Sequence, residues 1–386
     1  MTSISDPRVW PAPSTAEPAV TLHRHVQESL AAATSIEAEH HHVAIESQLR
    51  ALIETDDGAT LAAIFDSAPS AAIYRHLWRA LARAEAPSDR ATMAVTVFAL
   101  PLTIVAGREN ADDEPATLPC VLRGAPEVAK LLRDHGALSG NEMFALADTL
   151  VAADAIEIHN MASLYAALKL RDGSLPAINE ARALPPLPII VDGQDAGVHL
   201  RFIVGAAVAT SAVDLVADDS VGRWGLPVTR LLGRALAHES VTLLILPQAP
   251  KRLAVALQRG RAAQREVSAQ LFASNAIRNF RASVGEPVAV ISAHRAADTL
   301  TGGELRLSLS SVVDPRDAEG FRCPLYRADQ SDEVADMLVT LLRDCRVAAV
   351  HVLPGVYPDR DPSTGSRLLF KADALADAPA YGATVQ

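Results

Sequence analysis

The stretch IEAEHHHVAIES, residues 36–47, contains residue types that bind transition metals. Glu39 lies three residues before His42, and His42 lies four before Glu46, so a helix would place all three on one face. Because Glu-x-x-His elements supply ligands in di-metal helix bundles, a metal site on Glu39, His42 and Glu46 is one hypothesis. The sequence shows no second such element, and we therefore prefer a solvated polar face or a subunit contact. No cofactor is predicted.

Two further histidines close predicted strands, His294 in ISAH and His351 in VHVLP. Strand ends beside loops are where α/β folds place ligands and catalytic groups. If the two strands are parallel neighbours, both imidazoles could face one crevice with Asp192 of IVDGQD. Such a group would suit the acid–base chemistry of a hydrolase or hold a metal ion. The alternative is that each histidine is partly buried and hydrogen-bonded to backbone.

Several standard enzyme signatures are missing from the sequence. It contains no GxxxxGK[ST], GxGxxG, GxSxG or HExxH pattern and no catalytic-cysteine signature. The segment YPDRDPSTGSR, residues 357–367, is rich in hydroxyl and carboxylate groups but lacks the glycine that a calcium loop requires. We interpret this segment as part of a C-terminal loop.

Arginines on a predicted helix over residues 251–283 form the fourth candidate site. Arg261, Arg265, Arg278 and Arg281 would place positive charge beside apolar residues on this helix. In an acidic protein such a surface could contact an anionic ligand, another protein or a second copy of the chain. The alternative is a solvated face with local ion pairs.

Composition limits the kinds of partner. With 35 basic and 46 acidic residues the net charge is −11, which makes nucleic acid an unlikely partner. Three separated cysteines cannot form a disulfide framework, and no basic leader or membrane-length apolar run is present. These features predict a soluble, cytoplasmic protein with no membrane span. The excess of arginine over lysine indicates GC-rich bacterial coding.

The order of elements predicts the architecture that would position these groups. Helical periodicity occupies the first quarter, and β-type runs alternate with helical runs in the second half. This alternation predicts an α/β fold, with a helical N-terminal region followed by mixed, largely parallel sheets flanked by helices. The predicted regions are a flexible tail at 1–18, a helical region at 19–90, a small α/β region at 91–175, an α/β domain at 187–357, and a C-terminal tail at 358–386.

Strict alternation in ELRLSLSS, residues 304–311, predicts a strand with one face open to solvent or to a partner, at the edge of its sheet. Together with the missing catalytic signatures, this favours a non-enzymatic protein that binds a partner or itself. A hydrolase using His294, His351 and Asp192 is the alternative function.

Overall fold

The structure of the chain is a computed structural model. It describes residues 16–85, 94–108, 116–137, 143–168, 189–191, 197–209, 221–283, 285–295, 301–311, 318–360 and 367–371. Most of the predicted tail at 1–18, most of the predicted tail at 358–386, and Asp192 lie outside the described residues.

Four helices form the N-terminal region: α1 (Ala16–Ala31), α2 (Ser35–Glu54), α3 (Gly58–Asp66) and α4 (Ala71–Ala84). Side chains of Thr34, Asp57 and Ser70 cap the last three by accepting a hydrogen bond from a first-turn amide. Their buried faces are aliphatic and join one large core. The predicted helical N-terminus is confirmed.

Two four-stranded sheets and a two-stranded ribbon follow. In chain order the elements are β1 (Ala94–Arg108), β2 (Ala116–Leu118), α5 (Ala125–Asp134), β3 (Met143–Val151), a 3₁₀ turn (Ala153–Ile156), α6 (Ile158–Leu168), β4 (Ile189–Val191), β5 (Gly197–Ala209), α7 (Val221–Ala235), β6 (Val241–Pro247), α8 (Leu253–Ser283), β7 (Pro287–His294), β8 (Thr301–Ser311), β9 (Ala318–Tyr326), α9 (Ser331–Asp344) and β10 (Ala349–Tyr357).

The first sheet has the order β3-β5-β1-β6, and every neighbouring pair is antiparallel. Its connections run β1-α5-β3 and β5-α7-β6, and each helical crossover skips one strand. This is the split β-α-β connectivity of ferredoxin-like sheets, which identifies no function. The sheet takes β1 and β3 from the predicted 91–175 region and β5 and β6 from the predicted 187–357 domain.

The second sheet has the order β10-β7-β8-β9, and only the β10–β7 pair is parallel. The prediction of largely parallel sheets is therefore wrong. Helices do alternate with strands, but they join strands that are not neighbours or that belong to different sheets. The sequence of strand β1 is continuously apolar, as is typical of a parallel sheet, because helices cover both faces of its antiparallel sheet. Val97 and Ala99 face one core, and Phe98 and Leu100 face the other.

The prediction that 304–311 is an edge strand is also wrong. Strand β8 pairs with β7 on one side and with β9 on the other. Its leucines face the core under α8 and α9, as alternation predicts. The opposite face carries Glu304, Arg306, Ser308 and Ser310, and all four are buried.

Helix α8 connects the two sheets. Its 31 residues span about 46 Å. The first turns, with Leu253 and Leu257, pack in the core shared by the N-terminal helices and the first sheet. The last turns, with Ile277 and Phe280, pack under the second sheet. Oε1 of the buried Glu85 side chain accepts a hydrogen bond from the Ala254 amide at 3.0 Å, in the first turn of α8.

Gly205 on β5 is a close-packed point of the first sheet. A Cβ atom there would lie 2.5 Å from Phe98 Cζ and 2.8 Å from the Ala145 carbonyl oxygen. We expect Gly205→Ala to lower the free energy of unfolding by about 1–3 kcal/mol, since the sheet backbone must shift. The control is Gly233→Ala in α7, where nothing lies within 4 Å and where alanine should stabilise the helix. Urea unfolding measures both, and equal effects would contradict the packing argument.

Glu85 predicts a pH dependence of stability. Burial raises the pKa of Glu85 from 4.5 to about 8. Between these values the folded protein keeps a proton that the unfolded chain releases. The contribution of Glu85 to stability is therefore fully present below about pH 4.5 and falls as pH rises towards 8, by up to about 1.4 kcal/mol per pH unit.

Glu85→Gln should flatten this dependence, because glutamine keeps an acceptor for the Ala254 amide and does not ionise. Urea midpoints across this pH range measure the effect, with the exposed Glu266→Gln in α8 as a control that leaves the slope unchanged. A slope that persists in Glu85→Gln would contradict the assignment.

Candidate functional site

The histidine run on α2 divides between two neighbouring helices, because consecutive helical residues point about 100° apart. His42 lies beside His76 of α4, with ring centroids 4.9 Å apart, and its Nδ1 is 3.7 Å from the exposed Glu39. Glu46 instead forms an ion pair with Arg83. The structure does not bring Glu39, His42 and Glu46 together as one three-ligand group.

Burial, together with the smaller effect of the adjacent His42, lowers the pKa of His76 from 6.5 to about 4. The imidazole of His76 is therefore neutral near pH 7.

His41 points to α1 and meets a different set of groups. Its Nδ1 atom lies 3.4 Å from His25 Nδ1 and 3.5 Å from Glu28 Oε2. The same carboxylate oxygen is 3.5 Å from His25 Nδ1. We call His25, Glu28 and His41 the His–Glu cluster. Within the described residues it is the one group of three or more His, Cys, Asp or Glu side chains whose ligand atoms are close enough together to bind one metal ion.

His25 and Glu28 are not among the sites predicted from the sequence, although they form a His-x-x-Glu pair at the i, i+3 spacing of a helix face. That spacing is the sequence signal from which this part of the His–Glu cluster could have been predicted. What the sequence does not show is that α1 presents this pair to His41 rather than to His42.

His294 is buried in the second sheet and fully hydrogen-bonded. Its Nδ1 lies 2.9 Å from the Pro358 carbonyl oxygen, which can only accept, so Nδ1 carries the proton. Nε2 then accepts from the Ser292 hydroxyl at 2.8 Å. Burial lowers the pKa of His294, which keeps the imidazole neutral. The hydrogen bond from the serine hydroxyl to the histidine is the arrangement of a catalytic nucleophile and its base. Both residues are only 2% exposed, however, so a substrate cannot reach them in this structure.

The strands that carry His294 and His351 are parallel neighbours, as the crevice hypothesis requires. The register places His294 opposite Tyr357 and places His351 opposite Val290, four residues before His294 on β7. His351 is exposed on an edge strand, whereas His294 contacts the rings of Tyr357 and Phe370. Asp192, the third predicted member, lies outside the described residues.

A buried charge network occupies the same face of the second sheet. Arg306 is 1% exposed and pairs with Glu304 and with Asp359. It also donates to the carbonyl oxygens of Asp359 at 2.7 Å and of Leu368 at 2.8 Å. Residues 358–360 and 367–371, which we call the C-terminal cover, are thus fastened over the polar face of β8.

The pKa values in this network follow from its contacts. Burial acts to raise the pKa of Glu304, but hydrogen bonds from Arg322 and Arg306 outweigh it, and the pKa is lowered. The Arg306 hydrogen bond likewise lowers the pKa of Asp359. Both carboxylates are therefore ionised at neutral pH and neutralise the buried guanidinium. Alternation in the sequence assigns these residues to one face but does not show that the cover buries them.

The four arginines predicted as an interaction surface have separate roles. Arg265 is buried and pairs with the buried Asp329 at 2.6 Å. Arg261 pairs with Glu157 and lies over the Tyr326 ring. Arg281 donates to Glu286 and to the carbonyl oxygens of residues 345 and 346, while Arg278 contacts Asn275. Of the four, only Arg278 and Arg281 are exposed.

One cleft, partly open to solvent, lies where the N-terminal helices meet α8 and the turn after β9. Its cations already have partners. Besides the Arg261 contacts, Arg327 donates to the carbonyl oxygens of Phe65 and Ala68 and lies over the Tyr74 ring. These bonds fasten the helical region to the second sheet, which accounts for the charges without a ligand.

Comparisons with protein-family models, with curated proteins and with solved structures find no match. Among the described helices, none combines the length and the apolar character that crossing a membrane would require.

The Arg306 network predicts an asymmetric response to mutation. Arg306→Met should lower the free energy of unfolding by about 3–5 kcal/mol, because it leaves buried Glu304 with less compensation and detaches the cover. Arg322→Met removes the 54% exposed partner of the same carboxylate and should cost at most about 1 kcal/mol. Urea unfolding measures both. Limited proteolysis of the cover should accelerate in Arg306→Met alone, and equal responses would contradict the network.

Proposed function

We propose that the protein acts without catalysis, as a self-associating protein in which two copies join through the outer edge of β6. The observation that carries this proposal is the set of backbone groups along that edge. Val241 and Ile245 already use backbone groups within the chain, and those of Leu243 are complementary to the same edge of a second copy.

The four edges of the two four-stranded sheets differ in how they are protected. Strand β3 is partly covered, because the Leu150 amide donates to Cys120 and the Leu122 amide donates to Asp148. Strand β9 carries Glu319, Arg322 and Pro324, which discourage pairing. Strand β10 is interrupted by Pro354 and by a bulge with Gly355 at φ 85°.

Strand β6, VTLLILP, contains no charged residue, and its one proline is the last residue. Leu244 is 53% exposed and Leu246 is 36% exposed. No strand of the described chain lies on its outer side. Since uncharged, apolar edges invite pairing with another chain, β6 is the best-suited edge for association.

Backbone direction along β6 follows from three bonds. The Gln248 amide donates inward, to Pro101 of β1. The Ile245 carbonyl instead accepts from the Thr229 hydroxyl at 3.0 Å, and the Val241 amide donates to the His238 carbonyl. In an antiparallel ladder alternate residues direct both backbone groups to one side. The outward residues of β6 are therefore 241, 243 and 245.

Val241 pairs with His238 in an antiparallel bridge, and the Ile245 carbonyl is bonded to Thr229. The outward set therefore comprises the Leu243 amide and carbonyl and the Ile245 amide. A twofold antiparallel pairing centred on Leu243 matches the Leu243 amide and carbonyl of one copy to those of the other in two hydrogen bonds. The β3-β5-β1-β6 sheets of the two copies would become one sheet of eight strands, with Leu243 of one copy beside Leu243 of the other. Such an isologous contact closes into a dimer.

The buried state of His294 also favours this function over the hydrolase alternative. A substrate would reach the Ser292–His294 pair only if the cover fastened by Arg306 detached. The edge of β6 needs no rearrangement to bind its copy.

The test is the mass of the full chain in solution. We expect a dimer by light scattering coupled to gel filtration, strengthened by salt because two chains of net charge −11 repel each other. Leu244→Lys should shift the protein to monomer, since a lysine on an edge strand opposes pairing. Val356→Lys on β10, where the valine is 64% exposed, is the matched control and should remain dimeric. A monomeric wild type at all concentrations and salt levels would refute the proposal.

A further inference from the structure

We propose that the His–Glu cluster is a Zn²⁺ site, with His25 Nδ1, His41 Nδ1 and one Glu28 carboxylate oxygen as ligands. The cluster joins α1 to α2. It differs from the Glu39, His42 and Glu46 set that the sequence suggests, and it does not depend on association through β6.

The spacing of the three atoms carries the proposal. They form a nearly equilateral triangle with edges of 3.4, 3.5 and 3.5 Å. Tetrahedral Zn²⁺ has bonds of about 2.0–2.2 Å to nitrogen and oxygen, which separate its ligands by about 3.3–3.6 Å. A tetrahedral ion about 0.7 Å out of the plane of this triangle lies about 2.1 Å from all three atoms.

The same distances disfavour two other interpretations. Strong hydrogen bonds place donor and acceptor about 2.7–3.2 Å apart, so edges of 3.4–3.5 Å are long for a hydrogen-bonded trio. An octahedral ion with bonds of about 2.1 Å holds adjacent ligands about 3.0 Å apart, which is shorter than any edge of this triangle. Two imidazoles with one carboxylate also match the ligand preference of zinc.

The surroundings hold the ligands in place and leave one position open. Leu22 and Val26 of α1 and Ile45 and Leu49 of α2 are buried in one core, which fixes the two helices that carry the cluster. The side chains of His25 and His41 are 22% and 16% exposed, while Glu28 is 45% exposed. The cluster is therefore accessible from solvent, so that water can supply the fourth ligand, as in zinc centres that keep an exchangeable ligand.

The test titrates Zn²⁺ into the full-length, metal-stripped chain. We expect one equivalent to bind by calorimetry, with a rise in melting temperature. We also expect Co²⁺ to give the intense visible absorption of a tetrahedral centre. His25→Gln and His41→Gln should lose the stoichiometric site and the Co²⁺ spectrum, while circular dichroism confirms that both remain folded. Glu28→Gln should weaken binding and alter the spectrum.

His42→Gln is the matched control, because it removes the adjacent histidine and leaves the His–Glu cluster intact, so one equivalent should still bind. Binding lost in His42→Gln but kept in His25→Gln would overturn the proposal in favour of the Glu39, His42 and Glu46 set. Absence of a stoichiometric site in the wild type would also overturn it. Leu244→Lys should bind zinc normally, so failure of the dimer and failure of the metal site are separable.

Discussion

The rest of the structure depends on the burial of helix α8 against two sheets at once. Its first turns complete the core between the N-terminal helices and the first sheet, and its last turns complete the core of the second sheet. Glu85 at its first turn and the Arg265–Asp329 pair near its middle fasten it to the helical region and to the second sheet. Both contacts bury ionisable groups, so the junction of the three parts is polar and specific in geometry.

Polar groups in this protein serve structure where they are buried and are candidates for function where they are accessible. Beneath the C-terminal cover, polar side chains bond to one another or to backbone groups and hold the cover in place; they are Arg306, Glu304, Ser292 and His294. The His–Glu cluster and the outer edge of β6 differ, because their groups are positioned but only partly engaged. A zinc ion and a second copy of the chain are the ligands that would complete them.

Two errors in the predicted fold have one physical origin. Hydrophobic periodicity reports whether a strand is buried on one face or on both, but not what buries it. Strand β1 is covered on both faces by helices and resembles a strand of a parallel sheet, although its partners are antiparallel. Strand β8 alternates as a half-exposed edge strand does, although its polar face is covered and both of its edges are paired.

The sequence by itself determined the helical N-terminus and the apolar faces of the main helices and strands, because capping residues and local periodicity act over a few residues. It also located chemically capable side chains, including the histidine run. Only the tertiary structure decided that His41 meets His25 and Glu28 while His42 turns to His76, since helix packing selects which neighbours meet. It likewise decided which edge is open, because strand order and register depend on pairings between residues far apart in the chain, which local patterns do not encode.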